Sequence, residues 1–125
     1  MSRGSPPTYP AFRETQARRA ERRRRVAVDR ALQALDRLRA RGVEARVTGS
    51  LAQGRFGTHS DVDLLILELP DEALRYRIET DVEAVMGDIP FDVIYLDELQ
   101  PPTLRQRMLE KAVDRAHLAG HRDRA

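Results

Sequence analysis

Three aspartates stand where apolar runs begin. Asp61 and Asp63 open DVDLLILEL, residues 61–69, and Asp92 follows Phe91 at the head of FDVIYL. Carboxylates are seldom tolerated in buried strands, so their placement calls for a chemical reason. Residues two apart on a strand point to the same face, so Asp61 and Asp63 present their carboxylates side by side. Like charges held that close raise one another's pKa unless a cation lies between them. Mg²⁺ resolves the conflict, since it takes oxygen ligands, commonly one or two protein carboxylates plus water and substrate phosphates. If the strands of Asp63 and Asp92 are neighbours, three carboxylates converge, as in a two-metal phosphoryl-transfer site. Gly49-Ser50, upstream, supplies the other half. Gly49 permits positive φ and close backbone approach to a phosphate, and Ser50 adds a hydroxyl and a backbone N–H near the start of a short helical segment. The competing account makes the aspartates turn residues or caps at strand ends. It suits Ser60-Asp61, but leaves unexplained three carboxylates leading apolar strands in register with Gly49-Ser50.

These residues need elements to position them. Residues 1–12, with three prolines, read as a flexible lead-in. From Arg13 to Arg41 there is no helix breaker, and Val28, Leu32, Leu35 and Leu38 recur at helical spacing with Ala31 beside them. Its first half, RETQARRAERRRR, lacks that stripe and is free to project into solvent or against a partner. Gly42 supplies the stop. Val43, Ala45 and Val47 alternate with Glu44 and Arg46 as in a half-buried strand, and the near-continuous apolar run after Asp63 suggests a strand buried on both faces. Asp71 is placed to cap a helix carrying Leu74, Ile78, Val82 and Val85 on one face. A turn at GDIP precedes the third strand, Phe91 to Leu96. A last helix carries Leu104, Met108, Ala112 and Ala116 in register, and 119–125 reads as a frayed tail. The expected fold is α/β or α+β: a single domain over 13–118, a small mixed sheet with helices packed on it.

The spacing Gly49-Ser50, ten residues, Asp61-Val62-Asp63 resembles the G-S-x10-D-x-D signature of the nucleotidyltransferase fold shared with DNA polymerase β. GSLAQG…SDVDLLI is most similar to the stand-alone minimal nucleotidyltransferases of bacteria and archaea, with Asp92 where they carry a third carboxylate and PPTLRQRMLEKAV resembling their closing helix. The resemblance covers about Val43 to Val113. It implies Mg²⁺-dependent transfer of a nucleotidyl group, usually AMP from ATP, to a hydroxyl acceptor. Carried over by position, Ser50 contacts the triphosphate, Asp61 and Asp63 ligate both metals, and Asp92 ligates one and serves as base toward the acceptor. Many relatives carry Arg or Lys where this chain has Gln53; Arg55, or a partner, is left to supply that charge. Gly49 and Ser60 complete the expected nucleotide contacts. Minimal members often act beside a HEPN-type toxin, which they neutralise by AMPylating a tyrosine or by binding alone. The resemblance thus implies an antitoxin in a hetero-oligomer, with inactive neutralisation by binding as the alternative.

Composition narrows the remaining classes. The 125 residues contain no cysteine, which excludes disulfides and thiolate metal sites. No apolar run suffices for a membrane span or a signal peptide, so a cytoplasmic location is expected. Net charge is +2, but residues 1–46 hold 13 arginines against five acids, +8, and the remainder nine bases against 15 acids, −6. A basic end of this kind suits a nucleic-acid arm, an acidic partner or a solvated helix face; with few aromatics to stack on bases, nucleic acid is the less favoured partner. Gly54 and Gly57 read as loop flexibility. His59, His117 and His121 read as surface residues, Asp97 and Glu98 as the end of the third strand, and Tyr76 and Tyr95 as packing.

Overall fold

The computed structural model describes residues 9–122. Helix α1 spans Tyr9–Ala40, strand β1 Ala45–Thr48, and a single helical turn, α2, Gly49–Ala52. Strand β2 follows at Val62–Ile66, helix α3 at Leu74–Met86 and strand β3 at Phe91–Tyr95. A 3₁₀ turn at Leu96–Glu98 leads to α4, Pro102–Lys111, and α5, Arg115–Arg122.

Helix α1 begins upstream of Arg13, with Pro10 in its first turn, where the missing N–H breaks no intrahelical bond. Of the expected lead-in at residues 1–12, residues 9–12 belong to this helix, and 1–8 lie outside the described residues. Val28, Ala31, Leu32, Leu35 and Leu38 are all buried, and Ala27 and Ala34 widen the stripe. Each buried leucine contributes about 1.5–3 kcal/mol relative to exposure. The helix ends at Gly42, φ +78°, with Gly42 N–H donating to the Arg39 carbonyl (2.9 Å) and Val43 N–H to the Leu38 carbonyl (2.9 Å). This paired capping arrangement packs buried Val43 against the last turn and turns the chain into β1.

The sheet has the order β1-β2-β3, antiparallel between β1 and β2 and parallel between β2 and β3, confirming a mixed α+β fold. Strand alternation sends Val47, Leu64 and Ile66 into the core with α1, α3 and Leu118 of α5. Thr48, Asp63, Leu65, Asp92 and Ile94 share the opposite face by register. Leu65 is nonetheless fully buried, so the central strand is covered on both faces around its middle. Asp71 caps the turn into α3, its Oδ1 accepting the Ala73 N–H at 3.0 Å.

The C-terminal region departs from the expected single helix. Ala112 adopts an extended backbone (ψ 146°), and Val113 pairs with Val47, its N–H donating at 2.8 Å and its carbonyl accepting at 2.9 Å. Asp114 then caps α5, with Oδ1 accepting the His117 N–H at 2.9 Å. Two helices therefore replace one. Ala116 is exposed, Leu118 takes the buried position, and residues 119–122, read as tail, are helical.

Tyr76 does not pack: it is 78% exposed. Tyr95 does, with its hydroxyl donating to Glu79 Oε2 at 3.0 Å and the Arg75 guanidinium 3.9 Å over its ring. Burial and Glu79 together push its phenol pKa well up. Among the described residues no helix is long and apolar enough to cross a membrane.

Candidate active site

The site forms where β1 ends beside β2. Thr48 lies directly opposite Asp63 across the antiparallel pair, and Asp92 lies opposite Asp63 across the parallel pair. Paired residues share a face, so this register brings the two carboxylates together. Asp61, one residue before β2, adds the third. Asp63 is half-buried, while Asp61 and Asp92 are exposed. Burial, then Asp92, then Asp61 raise the pKa of Asp63 above the ordinary carboxylate range. Its electrostatics are those of a negative cluster.

The chain leaves β1 at Gly49 with φ +74°, a conformation that favours glycine. A Cβ there would stand 2.3 Å from Asp63 Oδ2, so Gly49 is also required for space. Helix α2 follows at once, and the Ser50 carbonyl accepts the Arg55 N–H at 2.8 Å, closing the loop back on itself. Arg55 lays its guanidinium on Gln53, with Nε donating to Oε1 at 3.1 Å and Nη2 to the same oxygen. The cation next to the uncharged Gln53 is thus held beside it.

Ser60 belongs to the loop's internal bonding. Its Oγ accepts the Gly57 N–H at 2.9 Å, and its carbonyl accepts from Arg23 Nη2 at 3.2 Å. Arg23 also stacks over Phe56, 5.5 Å from the ring centroid. The arginine-rich helix therefore packs on this domain and fixes the residue that precedes Asp61. His59 is exposed, as expected.

A cleft of about 360 Å³ opens over Asp63. Thr48, Gly49, Gln53 and Asp63 form one wall, and Leu104, Arg107, Met108 and Lys111 of α4 the other. Sequence reading missed Arg107 and Lys111. The signal was present in the spacing 104, 107, 108, 111, one face of a helix, but two of its four members are charged and do not register as a hydrophobic stripe. A larger recess of about 450 Å³ lies between the first half of α1 and Phe56, but it lacks converging carboxylates.

The donor set suits Mg²⁺: hard carboxylate oxygens, one of them raised in pKa by burial and then by its like-charged neighbours, beside a glycine cradle that a side chain would fill. As placed, no three acidic, histidine or cysteine side chains among the described residues already stand around a common metal position.

Comparison with known proteins agrees with this geometry. Residues 28–114 match the family described as nucleotidyltransferase domain. A solved structure put forward as a minimal nucleotidyltransferase is similar at 32% identity and a TM-score of 0.54, over 74% of this chain and 89% of that one. No curated protein matches. The matched span begins within α1 and runs through both strand-borne aspartates to the break before α5, and on that ground the chain belongs to the nucleotidyltransferase domain family.

Proposed function

We propose that the chain transfers AMP from ATP to a hydroxyl acceptor, and that the acceptor is a tyrosine of a HEPN-type toxin which it neutralises. The observation that carries the reaction is the register Asp63 opposite Asp92, with Asp61 two residues before Asp63 and Gly49 against the Asp63 carboxylate. Asp61, Asp63 and Asp92 would hold Mg²⁺, which when bound offsets the negative charge of the triphosphate and lowers the pKa of a coordinated hydroxyl. The acceptor oxygen attacks the α-phosphorus, the bond from that phosphorus to the bridging oxygen breaks, and pyrophosphate leaves. Asp92, exposed at the mouth of the strand pair, is positioned to take the acceptor proton. Gly49 lets the backbone approach the phosphates, and Ser50 adds a hydroxyl donor.

A protein acceptor suits the exposure of Asp61 and Asp92, which lie outside the cleft over Asp63 and within reach of a docked surface. Neutralisation by binding alone is the second reading, favoured by the uncharged Gln53 on the cleft wall. Both readings imply a hetero-oligomer in the cytoplasm.

The test is incubation with MgATP and the protein encoded beside it, comparing wild type with Asp61→Ala/Asp63→Ala by mass spectrometry. The reading predicts one AMP on a partner tyrosine, with wild type only. An unmodified partner in a stable complex supports binding alone, and neither modification nor complex contradicts both readings.

A further inference from the structure

We propose that Arg107 and Lys111 form a cationic wall that grips the polyphosphate of the nucleotide without help from metal. The inference rests on the nucleotidyl-transfer reading and assigns the half of the cleft that the aspartates do not supply.

The two cations lie one turn apart on α4, on the face that lines the cleft opposite Asp63. Neither makes a hydrogen bond or an ion pair among the described residues. Their neighbours on the same helix behave differently. Arg105 donates to the Leu99 carbonyl at 2.9 Å, and Gln106 donates to Glu110 at 3.1 Å. Arg105, Gln106 and Glu110 are thus bonded within the fold, whereas the two cations lining the cleft are left open.

Their position is fixed from both sides. Thr48, the residue opposite Asp63, donates its hydroxyl to Met108 Sδ at 3.4 Å, holding the turn between Arg107 and Lys111 over the site. Two residues past Lys111, Val113 pairs with Val47, so the end of α4 is pinned to β1 next to Thr48. The cleft therefore has a basic wall, carried by a helix tied to β1, facing the acidic one. A ligand that satisfies both must present oxygens to a divalent cation on one side and to guanidinium and ammonium groups on the other. A chain of phosphates does so, and about 360 Å³ is the size of a small-molecule site rather than a groove for a polymer. A favourable position at the helix C-terminus explains Lys111 alone, and predicts an effect on stability rather than on binding.

The experiment is calorimetric titration of inorganic tripolyphosphate into the whole chain in EDTA, at low ionic strength, with thermal melts run in parallel. Wild type should bind tripolyphosphate more tightly than orthophosphate. Arg107→Gln and Lys111→Gln should each weaken tripolyphosphate about tenfold, the size of a lost charge-assisted hydrogen bond, with melting unchanged. Lys111→Arg should retain binding. Asp61→Asn/Asp63→Asn should bind metal-free tripolyphosphate at least as tightly as wild type, because repulsion is removed. Undetectable binding by wild type, or equal binding by Arg107→Gln/Lys111→Gln, overturns the proposal. Failure of AMP transfer with cation-dependent binding intact strikes the reaction and leaves the wall standing. Transfer by wild type with binding indifferent to Arg107 and Lys111 does the reverse.

Discussion

At Asp63, burial, Asp92 and Asp61 all oppose ionisation. An acid whose folded pKa lies above its unfolded value stabilises the fold fully below the unfolded value, and loses that contribution as pH rises through the folded one. At pH 7 the charged form is therefore a liability in the metal-free protein. Asp63→Asn should raise the melting temperature at pH 7 by roughly 3 °C and abolish the upward shift that millimolar Mg²⁺ gives the wild type. A lower melting temperature, or an undiminished Mg²⁺ shift, would show that Asp63 is an ordinary structural carboxylate. Gly49 is constrained twice, by φ +74° and by Asp63 Oδ2 at 2.3 Å from an added Cβ. Gly49→Ala should cost about 1–3 kcal/mol in urea unfolding and depress transfer further than that loss explains, because the carboxylate must rotate away. The spacing of these residues made this part of the site legible in the sequence. Arg107 and Lys111 were not legible, because their relation to Asp63 exists only once α4 has crossed the sheet face.

The elements divide along the same line. Strand β2 and helix α3 follow from local periodicity and a local cap and lie within the segments the sequence marked, although β2 stops at Ile66, short of the apolar run's end at Leu69. The break between α4 and α5 follows from Val113 pairing with Val47, a contact 66 positions away in sequence, and no local pattern announces it. Asp114 is the part of that break with a local cause. Bonds from the His117 backbone and then its ring hold the Asp114 carboxyl below its ordinary pKa. Its stabilising contribution is complete above the unfolded carboxylate value and is lost as pH falls through the lowered folded one. Asp114→Ala should cost about 1 kcal/mol at pH 7, whereas Asp114→Asn should keep most of the cap and remove its acid sensitivity, both measured by urea unfolding at pH 7 and pH 3. Equal losses for both variants would mean that the charge, not the cap, matters there.

Across the whole molecule, the basic end and acidic body meet through α1. Its C-terminal half belongs to the core, with Leu38 fully buried, while side chains 11–20 are mostly exposed. Between them Arg23 reaches the Ser60 carbonyl and Arg24 the His121 carbonyl, so the helix braces the loop before Asp61 and the end of α5. Removing residues 1–20 should therefore change the melting temperature by no more than about 3 °C, whereas Leu38→Ala should cost about 2–5 kcal/mol. A large loss on truncation would place part of the fold's stability in the projecting turns. The charge asymmetry and the division of this helix into a core half and a projecting half were both visible in the sequence; what was not is that Arg23 and Arg24 reach across to the Ser60 and His121 carbonyls, which only the folded chain brings near.

The most direct test of the central claim, nucleotidyl transfer at Asp61, Asp63 and Asp92, is to supply ATP labelled in either the α- or the γ-phosphate with Mg²⁺ and the partner protein, using wild type and Asp63→Asn. Nucleotidyl transfer requires acceptor-bound label from the α-phosphate only, γ-label released as pyrophosphate, and neither with Asp63→Asn. Acceptor-bound γ-label, or α-label undiminished by Asp63→Asn, would contradict it.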